Sequence, residues 1–342
     1  MTSFEVRTFY RISDIDARSW DQLSGQSPFQ DYRWFTFGER VMSDCPPVYL
    51  LVYDNNLLIA RAAFWLVRNE PLPQMPVPVK TLVKALLKRW PLLICRSPMA
   101  NTSGLIMKDG LQSETILDRI SQAAISEAGK KNASVVLFDF LDESNTQGWP
   151  SNFVTLKMPS PGTILKNRWQ SLEDFLADGN KKDRQHYKRS LREAEKLGIR
   201  LTQHKSIPDI EGALALIRKV EHRYSSSPNP WLANMLKNIE MVDGIWLEAH
   251  IEEKLVGCGL IVNDKNVQMT TALGLADNIP YVYFLLIYAS LESAFKKEIQ
   301  WLRWGTGAYE VKQRLGFELE QNNHSVLAGT NQLTRFLSRI AA

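Results

Sequence analysis

The sequence of 342 residues contains few cysteines and no hydrophobic run long enough to cross a membrane. Its three cysteines, Cys45, Cys95 and Cys258, are far apart, and none belongs to a Cys-x-x-Cys pair. This spacing argues against a disulfide framework and against a zinc site, so no bound metal is expected. Each thiol is instead predicted to be a small buried side chain in a reducing cytoplasm.

A secretory signal is also missing from the start of the sequence, because no basic segment is followed by an apolar core. The net charge of +4 is far below that of a dedicated nucleic-acid binder, so no sequence-specific nucleic-acid partner is expected. With 44% hydrophobic and 23% charged residues, the composition is that of a globular protein. The length is sufficient for one large or two ordinary domains.

Two hairpin patterns suggest that a domain is duplicated. Residues 47–67 form two apolar stretches around Asp54, Asn55 and Asn56, and residues 244–262 repeat this design around a Glu-Glu-Lys turn. A Pro-rich change of pattern near residue 160 indicates the boundary between the copies. The predicted domains are residues 1–160 and 161–342.

The segment 269–317 carries the strongest functional pattern. It reads as a strand, a loop, a long apolar helix at 281–295, a short buried strand and a Gly- and Lys-containing turn. The helix start presents free backbone N–H groups that can bind a phosphate or the oxygen of an acyl group. Tyr281 and Tyr283 stand at this position. The alternative, that this helix start binds no ligand, remains open.

A basic helix is predicted over residues 180–197. Its charge suits a phosphorylated donor or carrier, such as the diphosphate of coenzyme A, a tRNA backbone or a lipid-linked phosphate. A solvated helix face without a ligand is equally consistent with the pattern. Helical spacing aligns the cations Lys181, Arg184, Lys188 and Arg192, with Arg189 beside them.

A second basic helix is predicted at residues 79–90, where Lys80, Lys84 and Lys88 lie on one face and Trp90 stands at the end. Such a helix can rest on an anionic membrane surface. The alternative is an ordinary surface helix that packs on its own domain. The protein is therefore expected in the cytoplasm, with peripheral membrane contact through 79–90 as an open question.

The central segment and the basic helix resemble a known superfamily. The residues that carry the resemblance are GLADNIPYVYFLLIYASLESAFKK, LRWGTGAYEVKQRLGF and the earlier FLADGNKKDRQHYKRSLREAEKLG. They are similar to the GCN5-related N-acetyltransferase (GNAT) superfamily, and more narrowly to its FemAB-like and BioF2-like (CelD-type) branch. The resemblance implies an α+β fold of tandem GNAT-like domains, each with a mixed, mostly antiparallel sheet flanked by helices.

The resemblance also implies an N-acyltransferase that moves an acyl or aminoacyl group from a carrier-bound donor to an amine acceptor, a cell-envelope or polysaccharide precursor. Acyl-CoA or aminoacyl-tRNA would be the co-substrate, with no tightly bound cofactor. A tRNA-dependent aminoacyl ligase of the FemAB type and a non-catalytic glycan- or carrier-binding scaffold remain open. The usual pyrophosphate loop, Arg/Gln-x-x-Gly-x-Gly/Ala, is replaced by GLADNIPYVY, which puts a standard coenzyme A site in doubt.

Candidate site residues are assigned on this basis. The donor and acceptor would meet at the start of the apolar helix, and no covalent enzyme intermediate is required. The candidate catalytic residues are Tyr281, Tyr283 and His222, the last as a general base. The candidate substrate- and donor-binding residues are Lys181, Arg184, Lys188, Arg189, Trp231, Tyr309 and Lys312.

Overall fold

The computed structural model describes residues 4–72, 75–108, 114–224 and 227–341. In chain order the strands are β1 (Glu5–Phe9), β2 (Pro47–Asp54), β3 (Leu57–Val67), β4 (Leu92–Cys95), β5 (Leu105–Met107), β6 (Val135–Leu141), β7 (Val154–Lys157), β8 (Thr163–Lys166), β9 (Ile199–His204), β10 (Ile245–Ile251), β11 (Lys254–Asp264), β12 (Val267–Leu275), β13 (Trp301–Trp304), β14 (Glu318–Leu319) and β15 (His324–Gly329). The α-helices are α1 (Ala17–Ser24), α2 (Tyr32–Val41), α3 (Val77–Arg89), α4 (Glu114–Lys130), α5 (Leu172–Asp178), α6 (Lys181–Lys196), α7 (Ile210–Arg223), α8 (Leu232–Lys237), α9 (Val282–Lys296), α10 (Tyr309–Arg314) and α11 (Gln332–Ala341).

The chain divides into two compact units. Unit 1 comprises Met1–Pro161 and Glu320–Ala342, and unit 2 comprises Gly162–Leu319. The structure differs from the predicted second domain, 161–342, at the C-terminal end. There β15 pairs with β6 and β7, so backbone hydrogen bonding makes it a strand of unit 1.

Each unit is built on one mixed sheet. The strand order is β1-β2-β3-β4-β6-β15-β7 in unit 1, with β5 beside β3, and β14-β8-β13-β12-β11-β10-β9 in unit 2. Each sheet has one parallel pair, β4/β6 and β12/β13 respectively, and the other pairs among the described strands are antiparallel. Helices flank both sheets. The predicted α+β fold of tandem, mostly antiparallel domains is confirmed.

The two predicted hairpins occupy the same position in the two sheets. β2 and β3 pair through a turn at Asn55 and Asn56, with φ of 47° and 66°. Asparagine tolerates this left-handed conformation, which matches the twist of the flanking strands. β10 and β11 pair through a turn in which Glu252 has φ of 52°. Both hairpins are thereby confirmed.

The strand beside each parallel pair comes from a distant part of the chain. In unit 1 this position is held by β15 and in unit 2 by β8. Along the chain, β8 directly follows β7 of unit 1, whereas β15 directly follows β14 of unit 2. In unit 1, β15 pairs with β7 although the whole of unit 2 lies between them in the chain. In unit 2, β14 pairs with β8 although almost all of that unit lies between them.

Helix α9 is the central helix of unit 2 and connects the two parallel strands. It is apolar nearly all round, and most of its residues are buried. One side packs on the sheet against residues such as Leu247 and Val256. The other side packs against Phe175 and Leu176 of α5 and Tyr187 of α6. The predicted buried crossover helix is confirmed, and it fixes the helix start at the C-terminal edge of the parallel strands.

Several simple features follow from the same packing. Cys45, Cys95 and Cys258 are free, buried thiols, as predicted. Over the described ranges, no helix combines the length and apolarity that spanning a bilayer requires. Within those ranges, no three His, Cys, Asp or Glu side chains are grouped as metal ligands would be.

Candidate functional site

The parallel pair of unit 2 is open at one end. β12 and β13 are paired from Val267 opposite Trp301 to Thr270 opposite Trp304. β13 ends there, but β12 continues to Leu275 and remains paired with β11 on its other side. Among the described strands, none pairs with residues 271–275 on the β13 side. This stretch of β12, the open edge, therefore has backbone groups available to a ligand.

Besides Asn278, a residue type that tolerates it, three non-glycine residues around the open edge have a left-handed backbone conformation. The φ angle is 52° at Ala272 in β12, 69° at Tyr281 before α9 and 48° at Ala308 before α10. Their side chains crowd this conformation, which costs about 1–3 kcal/mol per residue and persists only when the surroundings impose it. Helices that follow parallel strands begin at the edge where the strands end, so all three residues belong to one edge of the sheet. Such clustering is typical of a binding or catalytic site.

The start of α9 belongs to this edge. Tyr281 is the N-cap residue, and its side chain makes no capping hydrogen bond. The first backbone N–H groups carry the positive end of the helix dipole and suit an acyl oxygen or a phosphate. The helix start lies close to the sheet because Gly257 of β11 has no side chain. A Cβ at that position would be only 2.2 Å from Cγ1 of Val282.

The two predicted tyrosines lie at this helix start, with Tyr281 half-buried in the N-cap position. Tyr283 packs edge-on against Phe284, with 5.4 Å between the ring centroids. Burial, with a smaller effect from Tyr224, raises the pKa of Tyr283 to about 12. Like any tyrosine, Tyr283 carries its proton at neutral pH, and the raised pKa extends this state to alkaline pH, so the hydroxyl can donate a hydrogen bond but is not a base.

The end of α7 reaches the loop between β12 and α9. The guanidinium of Arg223 forms an ion pair with Asp277 in that loop. α7 packs closely over β12 because Gly274 leaves room, since a Cβ there would lie 2.9 Å from Cβ of Leu216. His222, the predicted general base, precedes Arg223 in the last turn of α7 and is exposed. The structure therefore brings His222 to the same edge as the start of α9.

The loop after β13 is held by Lys312 of α10. Lys312 is only 6% exposed, and its ammonium donates hydrogen bonds to the carbonyls of Gly305 and, at 3.4 Å, Thr306. This predicted donor-binding residue therefore positions the loop. Tyr309 is half-buried at the start of α10, at the same edge. Both residues belong to the candidate site, Lys312 through the loop that it fixes.

Helix α6 carries the predicted basic face. The structure gives Arg184 a structural role, because its guanidinium donates to three backbone carbonyls at the end of α5. Those hydrogen bonds satisfy carbonyls that a helix end leaves without partners. The predicted cations Lys181, Lys188 and Arg189 are exposed. Together with Arg192, which is also exposed, these residues are the part of the basic face that a ligand can reach.

Trp231 belongs to the core of unit 2. Its side chain is 5% exposed, and it immediately precedes α8. Its backbone N–H donates to the side chain of Asn229 at 3.0 Å, and the Asn229 N–H donates to Glu221 at 3.0 Å. A buried indole has little surface to offer a ligand, so the structure separates Trp231 from the predicted binding residues.

The inner face of α6 contains a contact that sequence reasoning missed. Nδ1 of His186 lies 3.3 Å from the hydroxyl of Tyr288 on α9, and its ring packs edge-on against Phe284 at 4.3 Å. The contact fixes the basic helix against the helix that forms the site. A signal was present, because His186, Ser190 and Ala194 recur every four residues and mark the inner face.

The corresponding edge of the unit 1 sheet, where β4 and β6 end, carries a cluster of charged side chains. The guanidinium of Arg96, just after β4, lies 3.0 Å from Asp139 of β6 and 2.9 Å from Glu70. Ser325 of β15 donates a hydrogen bond to Asp139 at 2.8 Å. Burial disfavours the charge on Arg96, but the two carboxylates outweigh this effect and raise its pKa. The side chains at this edge are thus paired with one another, unlike the open edge of unit 2.

Comparison with known proteins agrees with this architecture. A family model named FemAB-like, described as peptidoglycan biosynthesis/recognition, matches residues 11–339. The crystal structure of FemX is similar at 10% identity and a TM-score of 0.64, covering 97% of this chain and 99% of that one. A tandem GNAT protein from the clavulanic acid biosynthesis pathway is similar at 12% identity and a TM-score of 0.59, with coverages of 96% and 99%. A search of curated proteins gives no match. The chain belongs to the FemAB-like family and is an acyltransferase with two GNAT-type domains.

Proposed function

We propose that this enzyme transfers an acyl or aminoacyl group from a carrier-bound donor to an amine of a cell-envelope precursor, at the open edge of unit 2. The observation that carries the proposal is the unpaired stretch of β12 beside the uncapped start of α9. Both supply backbone N–H groups at one edge. Unit 1 is not proposed as a second reaction site, because its corresponding edge is occupied by Arg96, Asp139 and Glu70.

In the proposed reaction, the acceptor amine attacks the carbonyl carbon of the donor thioester or ester. A C–N bond forms, the C–S or C–O bond to the carrier breaks, and negative charge develops on the carbonyl oxygen in between. Backbone N–H groups of β12 and α9 stabilise that charge, and the protonated hydroxyl of Tyr283 is a further donor. The amine releases its proton to His222 or to water. Alignment of the two substrates supplies about 7–11 kcal/mol of the acceleration.

The loop between β12 and α9 bears on the identity of the donor. In common acetyltransferases the corresponding loop holds the diphosphate of coenzyme A. Here the carboxylate in this loop, Asp277, is ion-paired with Arg223, and Pro280 has no N–H to donate. The exposed cations of α6 offer an alternative contact for a carrier with several phosphates. We therefore favour aminoacyl-tRNA, or another polyanionic carrier, over acyl-CoA.

The acceptor is inferred from the family, whose description is peptidoglycan biosynthesis/recognition. An amino sugar, a peptidoglycan stem peptide or an exopolysaccharide unit would each present a suitable amine. A cytoplasmic reaction agrees with the three free thiols, which remain reduced in that compartment. The experiment below measures binding of the precursor and transfer to it together.

The test is a comparison of donors on one preparation of the full chain. Thermal unfolding is measured during titration with acetyl-CoA, because a ligand that binds only the folded state raises the melting temperature with the logarithm of its concentration. Aminoacyl-tRNA binding and aminoacyl transfer to a soluble peptidoglycan precursor are measured in parallel. We expect tRNA binding and transfer, with little thermal shift from acetyl-CoA.

The control compares two conservative variants. Tyr283→Phe is expected to slow transfer by about 10²-fold, as the loss of one oxyanion donor does. Tyr53→Phe, at a half-buried tyrosine of unit 1, is expected to leave transfer unchanged. A saturable shift with acetyl-CoA would instead identify a coenzyme A-dependent enzyme. Binding of the precursor without transfer from either donor would overturn the catalytic proposal.

A further inference from the structure

Helix α3 of unit 1 presents apolar side chains to solvent. Leu87 is its one buried residue, whereas Leu82 is 60% exposed and Leu86 is 42% exposed. Val79, Leu82 and Leu86 follow the i, i+3, i+7 spacing of one helical stripe, and Trp90, also exposed, continues it at i+11. A stripe of this kind is normally covered in a folded protein.

A second helix with exposed apolar residues begins at the same edge of unit 1. Leu333 and Phe336 of α11 are both largely exposed. Ser134 connects the two helices, because its hydroxyl donates to the carbonyl of Trp90 at 3.2 Å and its carbonyl accepts from the N–H of Thr330 at 3.0 Å. The end of α3 and the start of α11 therefore lie on either side of one residue.

The charges on this surface indicate which class of partner it fits. Residues 75–108, which include α3, contain no acidic residue. Lys80, Lys84 and Lys88 recur every four residues beside the apolar stripe, followed by Arg89. The segment 330–342 likewise contains arginine but no acid. Exposed leucines, a tryptophan at the helix end and cations without acids form the pattern of a helix that lies in an anionic lipid surface.

We propose that α3, together with the start of α11, docks unit 1 on an anionic lipid bilayer. The apolar stripe enters the boundary between headgroups and acyl chains, and the lysines contact lipid phosphates from the side. This proposal is independent of the reaction assigned to unit 2. It adds a location for the enzyme, because a protein held on a membrane meets lipid-linked substrates at a raised local concentration.

The test is sedimentation of the full chain with vesicles. Vesicles of equal parts phosphatidylglycerol and phosphatidylcholine are compared with pure phosphatidylcholine at low salt. We expect binding to the anionic vesicles only, and a decrease in binding as salt is added. Leu82→Glu combined with Leu86→Glu should lower the partition coefficient by about tenfold or more for each leucine. Lys84→Gln combined with Lys88→Gln should lower it about thirtyfold, from about fivefold per cation.

The matched control is Leu191→Glu on α6, because Leu191 is 41% exposed on another basic helix and thus resembles Leu86. It should sediment like the unchanged protein. All the substituted side chains are exposed, so the melting temperatures should also be unchanged. The proposal is overturned if anionic vesicles do not bind the protein, or if the α3 variants bind as well as the control. Self-association that the leucine variant abolishes would assign the surface to a second copy and would also overturn it.

Discussion

At the scale of single residues, the start of α9 assigns different tasks to two neighbouring tyrosines. Tyr281 has the left-handed backbone that ends the loop and begins the helix. Tyr283, two residues later, is half-buried, and this burial raises the pKa of its hydroxyl to about 12. Tyr281 therefore matters through its backbone conformation. Tyr283 matters through its protonated hydroxyl, which can donate a hydrogen bond to an acyl oxygen.

The raised pKa of Tyr283 predicts how stability changes at high pH. The unfolded chain releases the phenolic proton near its ordinary pKa of about 10, whereas the folded protein holds it to about 12. The contribution of this group is therefore intact below pH 10 and is lost as the pH rises towards 12, at about 1.4 kcal/mol per pH unit. We expect the free energy of unfolding, measured with denaturant, to decrease over this range.

The variant Tyr283→Phe isolates this contribution. Because phenylalanine does not titrate, the alkaline decrease should become smaller by the share that Tyr283 supplies. Tyr288, whose pKa burial also raises to about 12, still titrates in this variant and leaves a residual slope. An alkaline decrease identical to that of the unchanged protein would show that Tyr283 is not the buried phenol described above.

Residue types could be predicted from the sequence more reliably than residue roles. Tyr281, Tyr283 and His222 do lie at one edge of unit 2. Arg184 and Lys312 instead hold backbone carbonyls, and Trp231 is in the core. Long cationic and aromatic side chains have many possible partners, and tertiary packing selects among them. A pattern along one chain segment cannot contain that information.

At the scale of elements, the site depends on how closely α9 lies on the sheet. Gly257→Ala adds a Cβ that would meet the first turn of the helix at Val282, and this branched side chain cannot swing away. We expect a loss of about 1–3 kcal/mol in the free energy of unfolding, together with weaker donor binding as the helix start is displaced. Gly259→Ala, in the same strand, meets no atom within 4 Å and should leave donor binding intact. Equal effects of the two substitutions would argue against close packing as the cause.

The basic helix α6 gives a prediction about salt. Replacing Lys181, Lys188 and Arg189 with Gln should weaken tRNA binding and reduce the slope of log affinity against log salt by about 0.9 for each lost phosphate contact, or somewhat less for single strands. Binding is measured by anisotropy at several salt concentrations. The control removes the same charge from α3 through Lys80, Lys84 and Lys88→Gln. If both triple variants change the slope equally, general electrostatic attraction rather than α6 explains the binding.

Elements were predicted well wherever a local pattern determines them. The basic helix predicted at 180–197 is Lys181–Lys196, and the hairpin turn at Asn55 and Asn56 is found where the sequence indicates it. The left-handed backbone at Ala272 could not be predicted, because alanine has no preference for this conformation. That conformation is imposed by the packing of β12 between β11 and two helices. The open edge, on which the proposed function rests, therefore could not be predicted from the sequence.

At the scale of the whole molecule, the composition of unit 1 from two chain segments gives a prediction about truncation. Removing residues 320–342 deletes β15, which lies between β6 and β7. We expect a loss comparable with the whole stability of a domain, about 5–15 kcal/mol, and loss of hydrogen-exchange protection in β6. Removing only residues 332–342 deletes α11 but keeps β15, and protection in β6 should survive. Normal protection after the longer deletion would mean that β15 is dispensable.

The duplication could be predicted from the repeated hairpins, but the membership of β15 could not. The sequence of a six-residue strand does not specify which sheet the strand joins. Its short apolar run, residues 326–328, fits the sheet of either unit, and its position in the chain favours unit 2, which is wrong. Only the long-range pairing of β15 with β6 decides the matter, and contacts between such distant residues leave no local pattern.

The strand order also has a consequence for how the protein is made. A ribosome releases residues from the N-terminus onward, and most domains fold as soon as their own segment has emerged. Unit 1 cannot do so, because β15, the strand between β6 and β7, is translated only after the whole of unit 2. Until then the nascent chain carries unpaired strand edges, which invite association with other chains. A premature stop between unit 2 and β15 would therefore disable unit 1 and leave unit 2 complete.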